Sequence, residues 1–417
     1  MKTTIPVYVG QDAIAHLARY CADHRAKRFT LVADQNTYAA LGRSVESALV
    51  ARGLEVCPIV LAGEEIVADE QYIVQVLVRA SAAEQVFLAV GSGTVTDITR
   101  FCSHRTRSTF ISIPTAPSVD GYASGSSSLA IGGLKQTVRA HPPVAIFADL
   151  PVLAAAPRAM IAAGFGDMLG KFTALADWQL GRLLWNEPYD QPIAQRSREA
   201  LLGCVSRVAG IGQASAEGIR HLMQGLVETG LCMLDAGYSA PAAGAEHYLS
   251  HFWETKLLRE HRRAILHGAK VGVATVLMAG LYDSIKRLSC ADVAKRLAGC
   301  APPARLPESQ RIRDAYGPIA DQVIAEQAPF LNLADQPFEN LKQRILENWA
   351  GIQDIAASVP PAGELAGLLD QVGGPVEAAA LGLQNGEAEL GMQVGHYFRN
   401  RFTVVKLGRM LGLPGLP

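Results

Sequence analysis

Neither sign of charge dominates this chain: 38 lysines and arginines stand against 39 aspartates and glutamates in 417 residues. A net charge of -1 provides no whole-chain field for nucleic acid or an anionic membrane, so any charged ligand must be met locally. The seven cysteines are dispersed and contain no CxxC pair. An odd, scattered set makes a poor disulfide framework, and a reducing cytoplasm is the expected compartment. The opening MKTTIPVYVGQDA lacks the basic region, apolar run and small-residue cleavage site of a secretory signal. The longest tempting apolar stretch, 271–282, lies between Lys270 and Asp283. It falls short of the roughly 20 residues that cross a bilayer and reads as a buried helix. No repeat of about 20 to 50 residues is present, which argues against a solenoid.

What the chain does have is enough apolar material, 49% of its residues, for a large core divided between two domains. Short β-rich runs at 4–9, 29–34, 56–61, 86–90, 109–113 and 144–147 alternate with helical patterns at 13–23, 36–52 and 69–80. That rhythm predicts a mostly parallel sheet with helices on its faces. The segment SSSLAIGGLKQTV predicts a hairpin turning at Gly132-Gly133. Beyond Pro151 the strand signal fades into Ala/Leu-rich helical patterns, with breaks at Pro302, Pro360 and Gly373. The expected division is an α/β domain at 1–155 and an all-α domain at 156–417.

Chemistry concentrates in four places. FLAVGSGTVTDITR is an apolar strand that ends in Gly91-Ser92-Gly93-Thr94 and runs into a helix, a setting in which backbone N–H groups approach a diphosphate. It lacks the third glycine and downstream acid of the usual dinucleotide fingerprint. Asp34 instead precedes it, ending the strand FTLVAD, where its carboxylate faces either a ribose or its own helix as an N-cap. SIPTAPSVDGYASGSSS gathers hydroxyls, glycines and Asp120 just after a strand, the edge at which open α/β sheets bind ligands. GAEHYLSHFWE sets His247 and His251 one helical turn apart; His261 and His267 follow, and Asp167 lies among small residues in AAGFGDMLGK. One carboxylate and two imidazoles bind a divalent cation and leave coordination positions open, but spacing alone does not choose the histidines.

Taken in order, GSGTVTD, PTAPSVDGYAS, IFADLPVL, GFGDMLGK, EHYLSHFWE, HGAKVGV and RNRFTVVKLG resemble the iron-containing alcohol dehydrogenase and dehydroquinate synthase superfamily. The resemblance is strongest to its bacterial sn-glycerol-1-phosphate dehydrogenase branch. It implies a dehydroquinate synthase-like fold: an N-terminal dinucleotide-binding α/β domain, an α-helical C-terminal domain, and an active site in the cleft. By position it makes Asp167, His247 and His267 the metal ligands, with Zn the first choice and Ni or Fe(II) the alternatives. It places Gly91, Ser92, Gly93, Thr94, Asp97, Thr115 and Ser124 at the NAD(P), and Asp34 near the adenine ribose. Asp120, Asp167, His251 and Lys171 fall at the substrate, with His251 and Asp120 as the catalytic pair.

The implied reaction is reversible reduction of dihydroxyacetone phosphate to sn-glycerol 1-phosphate. Lys256, Arg259, Arg262 and Arg263 join Lys171 as candidate phosphate donors because they flank the proposed metal residues. NAD is expected over NADP, since Asp34 repels an added phosphate. The expected partners are a small phosphorylated substrate and a second copy of the chain, with no nucleic acid and no membrane insertion. The rival readings are a redox-neutral dehydroquinate synthase-like lyase that retains NAD, a glycerol or polyol dehydrogenase acting on an unphosphorylated substrate, and a nucleotide-binding protein without catalysis. Net NAD(P)H consumption separates the first rival from a dehydrogenase.

Overall fold

The computed structural model describes residues 4–23 and 27–416. Eight strands are present among them: β1 (Val7–Gly10), β2 (Arg28–Asp34), β3 (Glu55–Leu61), β4 (Val86–Gly91), β5 (Thr109–Pro114), β6 (Ser126–Ile131), β7 (Leu134–Arg139) and β8 (Ala145–Asp149). The helices that bear on function are α1 (Gly93–Arg105), α2 (Arg158–Leu169), α3 (Lys171–Trp185), α4 (Ala216–Ala236), α5 (Ala245–Arg259), α6 (His267–Lys286) and α7 (Val404–Met410). Contacts divide the chain into two units: Met1–Met168 with Leu202–Tyr238 and Gln371–Gly373, and Leu169–Leu201 with Ser239–Asp370 and Gly374–Pro417.

The first unit is built on a six-stranded parallel sheet in the order β1-β8-β5-β4-β2-β3. Alternate residues of each strand serve opposite faces, as the two-residue period of a strand requires. Phe29, Leu31, Leu88 and Ile111 pack with Leu17 and Cys21 of the helix Ala13–Asp23 and with Leu41, Val45 and Leu49 of the next helical run. On the other face Val32, Ile59, Phe87 and Phe110 pack with Tyr72, Val76, Val95, Ile98 and Cys102. Helices on both faces explain why β4 and β8 are buried along their whole length. Pro58 is accommodated because β3 is an edge strand.

Two expected elements differ in detail. The first strand begins at Val7, because Pro6 has no N–H to donate and contributes only its carbonyl, to Ile146. The helix expected at 36–52 is a continuous helical run over 35–50 with one wide turn at Tyr38–Gly42. The hairpin forms as expected: Gly132 and Gly133 both take positive φ, the backbone that a two-residue turn of this hand demands.

The second unit is helical. Its elements are tied together at Asp177 of α3, which is fully buried. Its carboxylate accepts the Ala245 N–H at 2.8 Å, the Val404 N–H at 2.7 Å and the Tyr282 hydroxyl at 2.7 Å, joining α3, α5, α6 and the start of α7. The buried helix expected at 271–282 is the central part of α6.

A buried amine in this unit gives a pH test. Lys406 is 1% exposed, donates to Asn400 Oδ1 at 3.1 Å, and lies 4.5 Å from the Phe330 ring centroid. Burial pulls its pKa down to about 7, against the opposing charge of Glu187. Between about 7 and the ordinary lysine value only the unfolded chain holds the extra proton, so raising pH through that window stabilises the fold. Lys406→Met is expected to stabilise the protein at pH 7 by on the order of a few kcal/mol and to flatten the alkaline gain. Urea denaturation of both proteins at several pH values from neutral to mildly alkaline checks this; parallel profiles would refute it.

Candidate functional site

In the first unit the strand order creates a site that local sequence cannot show. β2 and β4 are neighbours whose ladder runs as far as Val32–Ala89, so Asp34 and Gly91 come to the same end of adjacent strands. The chain leaves β2 toward β3 and leaves β4 toward β5 on the other side. Such a reversal opens a crevice at the carboxyl ends of the strands, where doubly wound sheets bind nucleotides. Gly91-Ser92 leads directly into α1, whose first-turn N–H groups carry the partial positive charge that suits a phosphate. Asp34 acts as an N-cap: its Oδ1 accepts the Thr37 N–H at 2.8 Å, and the Thr37 hydroxyl in turn accepts the Asp34 N–H at 3.0 Å.

The serine-rich segment after β5 is held in one shape. Arg100 of α1 is fully buried, and its guanidinium bonds Asp97 at 2.7 Å and the carbonyls of Gly121 at 2.6 Å, Tyr122 at 3.2 Å and Ser126 at 3.1 Å. Thr115 N–H bonds the Gly91 carbonyl at 3.2 Å, linking this segment to the glycine turn. Ser124 Oγ donates to the Ser126 carbonyl at 3.0 Å. Asp120 is buried, and its N–H donates to Asp167 Oδ2 at 2.9 Å. The first unit therefore brings Asp120 to Asp167, a carboxylate buried within α2. Arg100 was not singled out in the sequence, because a lone arginine on a helix reads as a solvated charge.

In the second unit His247, His251 and His267 form one cluster. Ring centroids are 5.4 Å apart for His247–His267, 5.4 Å for His251–His267 and 6.2 Å for His247–His251. The one-turn spacing on α5 puts the first two on one face, and His267 opens α6, which packs against α5. His247 Nδ1 lies 2.8 Å from Glu246 Oε1. Burial favours the neutral form of Glu246. The hydrogen bond to His247, with bonds from Thr173 and Gly244, opposes this and draws the carboxyl below the ordinary glutamate value.

The His251 ring lies tilted against Phe398, 5.0 Å between centroids, and its Nδ1 is 3.4 Å from Glu254 Oε2. His251, Glu254 and His267 can also bring one ligand atom each within 4.8 Å of one another. Glu254 is already shared between His251 and the Lys270 ammonium, 3.7 Å away, and that ammonium disfavours a second cation. His261, in the left-handed region after α5, joins no metal-capable group among the described residues.

The proposed phosphate donors fare unequally. Lys256 pairs with Glu260 and Glu387, and Arg262 bonds Glu260 and Glu387. Arg259 donates to the Ala315 carbonyl at 2.8 Å, and Arg263 is exposed. Lys171 is fully buried at the start of α3, and Lys270, not singled out from sequence, is buried on α6.

This architecture has known counterparts. Residues 8–157 match the family described as iron-containing alcohol dehydrogenase. The solved alcohol dehydrogenase from Oenococcus oeni shares the fold, with a TM-score of 0.62 at 12% identity over 98% of this chain and 97% of that one. Within that class the sequence likeness is narrower. The chain is 37% identical over 401 residues to the glycerol-1-phosphate dehydrogenase [NAD(P)+] of Geobacillus stearothermophilus, covering 95% of this chain and 90% of the relative. It is 42% identical over 292 residues to the protein of the same name from Bacillus subtilis (strain 168), covering 68% and 74%. The chain belongs to the glycerol-1-phosphate dehydrogenase family.

Proposed function

We propose that this protein is an NAD(P)-dependent oxidoreductase that reversibly reduces dihydroxyacetone phosphate to sn-glycerol 1-phosphate. The observation that carries this reading is the 37% identity to a glycerol-1-phosphate dehydrogenase over 95% of the chain, which spans both the glycine turn and the histidine helices. In this reading 1–155 holds the cofactor and contributes Asp120 to the substrate, and 156–417 holds the metal and the other substrate residues.

Gly91, Ser92, Gly93 and Thr94 receive the diphosphate at the N-terminus of α1, with Asp97, Thr115 and Ser124 completing the cofactor contacts. Asp34 keeps its cap through Oδ1 and meets the adenine ribose. Asp167, His247 and His267 hold one divalent cation, Zn first, with Ni and Fe(II) as alternatives. The donor chemistry fits: one buried carboxylate and two imidazoles, with His247 Nδ1 facing Glu246 and Nε2 as the ligand atom. When bound, the cation supplies Lewis acidity toward the ketone and the nicotinamide supplies the hydride. Asp120, Asp167 and Lys171 orient the substrate, and His251, backed by Glu254, delivers the proton. The protein works in the cytoplasm as a homodimer. Among the described residues no helix is long and apolar enough to cross a membrane.

The test is NADH oxidation by metal-stripped protein, before and after adding Zn, Ni or Fe(II). Dihydroxyacetone phosphate is the substrate, with dihydroxyacetone and glyceraldehyde 3-phosphate as controls. Metal-restored oxidation with dihydroxyacetone phosphate alone is expected. Tight NAD binding without net NADH consumption would replace the proposal with a redox-neutral lyase.

Cofactor choice gives a further expectation. The Asp34 carboxylate repels a 2′-phosphate, so kcat/KM with NADH should exceed that with NADPH, and Asp34→Asn should narrow the gap by roughly tenfold. Equal efficiency of the two cofactors with the unaltered protein would show the carboxylate plays no such part.

A further inference from the structure

Glu246 is fully buried, yet it belongs to none of the roles assigned above. It sits in the first turn of α5, next in sequence to His247, and successive helical residues ordinarily project away from each other. Here the glutamate side chain turns back over the open helix end. Its Oε1 accepts the Gly244 N–H at 2.6 Å and faces His247 Nδ1 at 2.8 Å, while Oε2 accepts the Thr173 hydroxyl of α3 at 2.7 Å. With the Gly244 N–H and the Thr173 hydroxyl already donating to the Glu246 oxygens, the 2.8 Å approach of His247 Nδ1 to Oε1 is that of a third donor, the arrangement in which Nδ1 carries the ring proton and Nε2 serves as the ligand atom. Three donors from two helices fix where that carboxylate lies, and the carboxylate fixes the plane of the imidazole.

We infer that Glu246 is a positioning residue for the cation: it locks His247 in the Nδ1–H form, aims Nε2 as a ligand, and strengthens that nitrogen as a donor. The inference rests on His247 being a ligand, as proposed above. Carboxylates hydrogen-bonded to a ligating imidazole typically contribute about 10- to 100-fold to metal affinity.

The test compares Zn(II) affinity, measured by chelator competition, and the visible spectrum of the Co(II)-loaded protein for Glu246→Gln, Thr173→Val and His247→Ala, all in the full chain. Thermal melts of the metal-free proteins report folding separately. Glu246→Gln keeps an acceptor for Nδ1–H but removes the charge. It is expected to weaken Zn(II) binding about 10- to 100-fold and to shift the Co(II) bands, beyond any change in the metal-free melt. Thr173→Val, which loosens one anchor of the carboxylate, is expected to weaken binding about threefold.

Wild-type Zn(II) affinity and an unshifted Co(II) spectrum in Glu246→Gln, while His247→Ala loses the metal, would overturn the inference and leave the ligand assignment standing. Undiminished Zn(II) binding by His247→Ala would instead overturn the ligand assignment itself. Should Glu246→Gln fail to fold, Thr173→Val decides: weakened binding supports the positioning role, and unchanged binding refutes it.

Discussion

Replacing His247 with alanine is expected to lower kcat/KM for dihydroxyacetone phosphate by about a thousandfold or more, with loss of the bound metal. A Lewis acid contributes several kcal/mol of charge stabilisation, and each 1.36 kcal/mol is worth about a factor of ten in rate. The substitution also removes one donor from the buried Glu246, at an expected cost of about 1–3 kcal/mol in stability. Steady-state kinetics together with elemental analysis of the purified variant checks both parts. A metal-replete variant with normal turnover would remove His247 from the site.

The second large effect lies in the first unit. A Cβ on Gly164 of α2 would stand 1.8 Å from the Pro117 carbonyl oxygen and 2.8 Å from its carbonyl carbon. Both obstacles are backbone, so no rotamer change relieves the overlap. Gly164→Ala must push α2 off the 115–123 segment, and a stability loss of about 3 kcal/mol or more is expected. Activity should fall with it, because the same segment carries Asp120, whose N–H holds Asp167. Gly203 in the helix Gln191–Val205 is the control, since nothing lies within 4 Å of its added Cβ. Gly203→Ala is expected to gain about 0.5–1 kcal/mol from helix propensity. Urea denaturation measures both; equal, small shifts would refute the close-approach argument.

Local chemistry made much of the fold legible. The runs around Leu31, Leu88 and Ile111 read as buried strands because β-branched and apolar residues persist over a strand's length and then stop at turn residues. Gly132-Gly133 announced its hairpin because a two-residue turn places a conformational demand on its own residues alone. Strand order was not legible. Asp34 and Gly91 lie far apart in sequence, and only the sheet makes β2 and β4 neighbours.

The candidate site divides the same way. His247 and His251 were readable as one helical face, and His267 follows them onto the packed helix. The cations were not readable, because partners decide their fate. Arg262 looked available until Glu387, 125 residues away, appeared 2.6 Å from its guanidinium. Arg100 and Lys270 escaped notice for the opposite reason, since burial of a charged side chain leaves no local mark. Glu246 was hidden by its position, because adjacent helical residues are not expected to meet.

The buried carboxylate of Asp177 also sets an order of events during synthesis. Its three donors come from Ala245, Tyr282 and Val404, and the last is separated from it by 227 positions. A nascent chain that has released α3, α5 and α6 from the ribosome still lacks the final N–H that completes this junction. The histidine-bearing helices therefore wait, with part of their apolar surface uncovered, until the segment around Val404 has been made and can pack. Completion of the helical unit thus depends on a segment made well after the helices that carry its histidines.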